Sequence, residues 1–261
     1  MNLYHYTSFD TFVKIWLSGK LRFGEVQNVN DIQEYGRPIC SENPQHFAII
    51  LKFDELRLKY KQISLAMDYE EMQGCMSTLM WAYYANNSNG VCIKIDSDKI
   101  DFSDCLHGPV SYSTKQGGIE LDKKISTTRH LRNFIVEKKE DIFFTKYANW
   151  DRENEYRIVS DKLDFLDISE AITGIFLTSY KSDECIFVEK LVNGKVDILH
   201  LDFNKRYGIP NVRDTKAKRL EWERLSKLPN QLRIQQQAKE ILERAEDDED
   251  ASLLMQTLIL E

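Results

Sequence analysis

Ten residues in the middle of the chain, Trp150-Asp151-Arg152-Glu153-Asn154-Glu155-Tyr156-Arg157-Ile158-Val159, constrain the fold more than any other stretch. They run from mixed charge and aromatics into a β-branched pair, so Tyr156 to Ser160 is expected to be a strand. Charged side chains have little reason to open a buried strand unless they face a cleft or one another. The N-terminal end of this strand should therefore border a polar site. A glutamate placed there can meet a histidine distant in sequence, and the opening segment Leu3-Tyr4-His5-Tyr6-Thr7 supplies one on a second β-prone stretch. A glutamate, a histidine and an intervening tyrosine are enough to grip a ribose through its hydroxyls.

At 261 residues, 42% of them hydrophobic, the chain has room for one large domain or a domain with an appendage. Its net charge of -7 argues against nonspecific binding to nucleic-acid phosphates. Lys115, Lys123, Lys124, Arg129 and Arg132 form either a local basic groove or a solvated face of mixed charge. The five cysteines, Cys40, Cys75, Cys92, Cys105 and Cys185, are scattered, with no Cys-x-x-Cys pair or Cys/His cluster. Neither a disulfide framework nor a metal site is expected. No run approaches the roughly 20 apolar residues of a membrane span, and no leader pattern opens the chain. A cytoplasmic protein without a membrane partner is expected.

Strand-forming and helix-forming stretches are interspersed without regular βαβ alternation, which points to an α+β fold. Ser8 should cap a helix carrying Phe12, Ile15, Trp16 and Leu17, and Gly19 should end it. Lys20 to Phe23 reads as a short strand, Asn28 to Glu34 as a loop, and Phe47 to Leu51 as a strand-like run. Gly74 to Thr78 reads as a strand end before a helix over Leu79 to Ala85. Strands are expected at Val91–Ile95, Val110–Ser113, Ile172–Leu177 and Val196–Leu201, and one helix over residues 119 to 146. The character changes after Pro210. Residues 1–210 form the expected core domain and 211–261 a helical C-terminal extension, amphipathic through Leu232, Ala238, Ile241, Leu242 and Ala245. Those helices either pack back onto the chain or contact a second copy or a partner protein.

Seven short motifs occur in order: Leu3 to Thr7, Gly19-Lys20-Leu21, Asn30 to Glu34, Cys75-Met76-Ser77, Met80 to Ala85, Gly90-Val91 and Trp150 to Arg157. Over roughly residues 3 to 180 this order resembles the bacterial domain-of-unknown-function family 2971. The departures are Ile32-Gln33 in the loop, Met76 in place of an aromatic, and Tyr83 beside Tyr84. A looser resemblance, to the His-Tyr-Glu ADP-ribosyltransferases, rests on His5, Tyr84 and Glu155. It implies a split mixed β-sheet with flanking helices and NAD, as substrate, held in the cleft. It also implies transfer of ADP-ribose to a macromolecular acceptor or to water, an activity that suits a toxin or antiphage effector. Under it Glu155, His5 and Tyr84 are the catalytic set, and His5, Tyr6, Thr7, Ser77, Trp81 and Tyr84 surround NAD.

Each assignment has a structural alternative. His5 donates to a ribose hydroxyl or is a core histidine satisfied by a carbonyl. Tyr84 stacks on nicotinamide or is a core aromatic, and Trp81 and Trp150 also fit a core. Glu155 stabilises positive charge on the ribose or forms a salt bridge with Arg157 or Arg152. Glu153 is taken as an uninvolved neighbour, on the same strand face but about 7 Å away. Two other classes compete with the NAD enzyme. One is a non-catalytic module binding a nucleotide or protein. The other is a metal-dependent nuclease using Asp31, Glu34 and Glu155.

Overall fold

Alternating side chains on the β-prone segments build one mixed sheet. The computed structural model describes residues 1–27, 38–43, 46–70, 72–115, 117–122, 124–178, 183–203 and 210–214. Nine strands form the sheet: β1 (Asn2–Thr7), β2 (Gly24–Glu25), β3 (Lys61–Met67), β4 (Val91–Asp96), β5 (Leu106–Pro109), β6 (Glu155–Ser160), β7 (Ile172–Leu177), β8 (Asp197–Phe203) and β9 (Pro210–Asp214). Their order is β9-β8-β7-β4-β1-β3-β6-β5, with β2 paired to β3 off that path. Neighbours from β7 to β5 are antiparallel. The β7–β8 pair is parallel, as its crossover through a helix at Asp183–Val192 requires. This is the expected α+β class.

The helices among the described residues are α1 (Phe9–Ser18), α2 (Phe47–Arg57), α3 (Thr78–Tyr84), α4 (Thr128–Glu137), α5 (Lys139–Phe143) and α6 (Asp183–Val192). One sheet face buries Leu3, Ile63, Leu65, Ile93 and Ile158 with Phe12 and Ile15 of α1 and Val188 and Val192 of α6. Period-two alternation sends the intervening residues to the other face, where two separate cores form. Tyr4, Tyr6, Ala66 and Cys92 pack with Trp81 of α3. Val159 packs with Phe53, Phe134, Ile135 and Ile142 from α2, α4 and α5.

Local signals set the bounds of α1 as expected. Ser8 caps α1 by accepting from the Thr11 N–H at 3.3 Å, and Gly19 ends it in the left-handed region at φ 68°. Ser77 caps α3 in the same way through the Met80 N–H. Other expectations fail. Phe47 to Leu51 begins a helix, because a five-residue apolar run fits either structure and the residues after it place Phe53 and Leu56 inside. Gly74–Met76 is a 3-10 turn rather than a strand end. The single helix expected over 119–146 is a short strand, two helices broken at Lys138, and a strand at Thr145–Tyr147 that pairs in parallel with Ser111–Ser113.

The chain divides into two compact units, Met1–Val212 and Arg213–Glu261. Pro210–Asp214 is extended where the helical extension was expected to begin. The rest of that extension and the loop at 28–34 lie outside the described residues.

Gly90 joins α3 to β4 and ties both to β1. Its N–H donates to the Ala85 carbonyl at 2.7 Å. A Cβ there would lie 2.2 Å from the Thr7 carbonyl oxygen and 2.9 Å from the Ala85 backbone. Gly90→Ala must displace the end of β1 or the end of α3 that carries Tyr84. It is expected to lower stability by roughly 1–3 kcal/mol, seen as a lower urea midpoint with an unchanged m-value.

Candidate functional site

The sheet parts in its middle. β1 pairs with β3 only at Leu3↔Met67 and Tyr4↔Ala66, while on its other side β1 stays paired with β4 through Thr7. β3 continues on its far side against β6 as far as Lys61, and its Gln62 and Lys61 pair with β2 instead of β1. A cleft of about 450 Å³ opens where the two strands separate. Its walls are Tyr4, His5 and Tyr6 from β1, Gln62, Ser64 and Leu65 from β3, Gly24 and Glu25 from β2, and Met80, Tyr83 and Tyr84 from α3. Lys146, Glu153 and Glu155 complete it.

Those last three belong to a buried ion network. Lys146 Nζ lies 2.7 Å from Glu153 Oε2 and 2.9 Å from Glu155 Oε2, with all three side chains at most 8% exposed. The same ammonium sits 5.3 Å from the centre of the Trp150 ring. Arg157 donates two parallel bonds to Glu155, at 2.9 and 3.0 Å, and a third to the Phe143 carbonyl. Ser64 also helps to lower the Glu155 carboxyl. Tyr84 donates its hydroxyl proton to Glu153 at 2.5 Å. The register explains the arrangement. Tyr4, Ala66 and Glu155 stand in one row across three strands, and Ser64 and Arg157 face each other in another. Burial would raise the Glu155 carboxyl, but Arg157 and Lys146 overcome this and hold it down at about 2. Glu155 is therefore ionised at any physiological pH.

Of the residues singled out in the sequence, His5, Tyr6, Tyr84 and Glu155 line this one cleft. His5 and Glu155 do not come from neighbouring strands, because β3 lies between β1 and β6. Alternation puts His5 on the Leu3 side of β1, opposite the side shared by Tyr4 and Glu155. The parting of the strands is what lets one cleft take lining from both. Thr7, Ser77 and Trp81 are not among the lining residues of this cleft. Trp81 is fully buried in the core, its Nε1 donating to the Cys75 carbonyl at 2.7 Å, and Ser77 caps α3. The Tyr6 side chain is likewise a core group, edge-on to Trp81 and donating its hydroxyl proton to the Gly74 carbonyl.

Of the two arginines left open as partners of Glu155, Arg157 is the one that pairs with it, while Arg152 sits in solvent near Asp151. One reading changes. Glu153 is not an uninvolved strand neighbour. It ends a 3-10 turn, Ala148–Glu153, and Asn154 at φ 43° reverses the chain so that both glutamates reach one lysine. The sequence reading missed Lys146 altogether, because it was assigned to a long helix. It also missed Ser64 and Tyr112, whose hydroxyl accepts from the Glu155 N–H at 2.9 Å. The Glu-x-Glu-x-Arg pattern was the available signal for Glu153. Asp31 and Glu34, proposed as metal ligands, lie outside the described residues. Among the described residues no group of three His, Cys, Asp or Glu is placed to hold a metal ion.

Residues 80–158 match the family described as protein of unknown function (DUF2971). The matched span holds Tyr84, Lys146, Glu153, Glu155 and Arg157, and excludes the motifs between residues 3 and 79. No curated protein and no solved structure matches the chain. No helix among the described residues is long and apolar enough to cross a membrane.

Lys146→Met would leave two buried carboxylates with Arg157 as the remaining cation. Removing one partner of such a network typically costs about 3–5 kcal/mol, so a large drop in the unfolding midpoint is expected. His5 gives a separate, pH-dependent signature. Burial holds its imidazole down at about 4, against an opposing hydrogen bond to the Ser64 backbone. Between its ordinary value of 6.5 and about 4, the unfolded chain binds a proton that the folded chain does not. Stability should therefore fall as pH drops through that window, and His5→Asn should flatten the fall when unfolding free energy is measured across it. Glu155 adds a further loss below 4.5, toward about 2, in both proteins.

Proposed function

We propose that the cleft binds NAD and that the protein breaks the nicotinamide–ribose bond, passing ADP-ribose to a macromolecular acceptor or to water. The observation that carries this reading is a permanently ionised glutamate, Glu155, in an aromatic-walled cleft opened by the parting of β1 from β3. The same parting, with a histidine, a tyrosine and a glutamate around it, supports the likeness to ADP-ribosyltransferases.

The chemistry suits these groups. When the C1′–N bond breaks, its electron pair goes to the nicotinamide nitrogen, which leaves as a neutral ring. The ribose is left as an oxocarbenium cation, and a nucleophile then attacks C1′ and loses its proton. Fixed negative charge near the developing cation lowers that barrier. The cleft presents Glu25, Glu153 and Glu155 with Lys146, while Arg157 is not among its lining residues. A tyrosine wall also suits a cationic pyridinium ring. His5 is neutral at pH 7 and suits a hydrogen bond to a ribose hydroxyl.

One observation favours a second reading. Both Glu155 oxygens already accept from Arg157, as in a structural ion pair inside a non-catalytic module that binds a nucleotide or protein.

Incubation with NAD and assay of free nicotinamide separates the two. Wild type should release nicotinamide, and Glu155→Gln should slow release roughly 10²- to 10³-fold while calorimetry still shows NAD binding. Equal rates in the two folded proteins would remove Glu155 from catalysis. Wild type that binds NAD without releasing nicotinamide would establish the binding module.

A further inference from the structure

Tyr83 is a large aromatic that the fold leaves in water. It is 68% exposed, yet it lines the cleft beside Tyr84. Single exposed aromatics are ordinary on protein surfaces; one at the rim of a cleft, joined to a fixed ring, is a ready platform. Tyr84 is fixed because its hydroxyl is bound to buried Glu153. The two rings meet edge to face, with centroids 6.4 Å apart and planes at 79°. They form a corner with one ring tied to the ionic floor and the other at the opening.

The size of the cleft divides a dinucleotide. Its volume of about 450 Å³ lies in the lower part of the range of roughly 300–1,000 Å³ that encloses drug-sized ligands. The Glu153 and Glu155 carboxylates, 3–4% exposed, mark the deep end, so the half that reacts belongs there. The other half is left at the rim, where Tyr83 stands. We infer that Tyr83 is a specificity residue that stacks the adenine ring of NAD. This rests on the NAD reading above and adds to it the placement of the second base.

Stacking on one aromatic is a ground-state contact, so its loss should appear in binding rather than in the chemical step. Base–aromatic stacking of ordinary strength corresponds to roughly 5- to 150-fold in affinity. Tyr83→Ala should keep the fold, because the side chain is exposed and alanine favours helix. Nicotinamide release would be measured with NAD and with nicotinamide mononucleotide, which lacks the adenosine half. Tyr83→Ala should raise KM for NAD by that factor with kcat little changed and leave both constants for the mononucleotide unaltered. Tyr83→Trp should restore the KM for NAD. Equal losses with both substrates would place Tyr83 on the nicotinamide half, and no loss with either would remove it from recognition; each overturns the inference. Wild type that neither binds nor cleaves NAD would instead refute the NAD reading, and the adenine assignment with it.

Discussion

Four charges buried on one face of a sheet must be matched to one another, and that requirement organises the middle of this protein. Glu153, Glu155, Lys146 and Arg157 come from a 3-10 turn, a sheet strand and a short strand outside the main sheet. None of them is tolerable alone at this depth, since an unpaired buried charge is far less stable than a solvated one. Each carboxylate meets Lys146, and Arg157 engages both oxygens of Glu155 as a planar fork suited to a carboxylate. The turn that ends at Asn154 is thereby fixed to the strand at Thr145–Tyr147. The Asn154 side chain also ties it to the Met67 and Asp68 carbonyls.

The cleft follows from a second constraint, the early end of the β1–β3 ladder. Two strands that stop pairing expose backbone groups and side chains on both edges of the gap. Here β2 takes up pairing with β3 farther along, at Gln62 and Lys61. Tyr4 and Tyr6 are held by the core beneath α3, so the β1 edge of the gap is rigid while the opening between the strands remains. A site built this way rests on sheet strands and one short helix rather than on loops, which favours a fixed geometry.

Together the two constraints produce a particular electrostatic setting. The histidine in the cleft is neutral and a glutamate in it is ionised, each for a stated reason: burial in the first case and paired cations in the second. Both environments favour the deprotonated form, so one cleft holds a neutral imidazole and a fixed carboxylate anion. The aromatic rim separates this deep polar floor from solvent, and a ligand with a charged reacting end and a flat outer ring matches that division.

The sequence by itself determined the α+β class, the capped first helix, the strand expected at Tyr156 to Ser160 and a polar site at its start. These are local properties: a side-chain cap, a positive-φ glycine, β-branched runs and charge placed against a buried strand. It also marked Glu155, His5 and Tyr84 as residues of interest, because charged and aromatic groups at element ends need a reason. Tertiary structure decided the rest. The apolar run at Phe47 became helix because residues after it had a core to enter, and the stretch at 119–146 broke because Thr145–Tyr147 found a partner strand at Ser111–Ser113. Lys146 was invisible as a site residue for that reason, since its importance lies in two glutamates seven and nine positions away that only the turn at Asn154 brings to it. Which face His5 occupies, and that β3 stands between it and Glu155, depend on strand order and register. Those are set by long-range pairing, which no local pattern in the chain encodes.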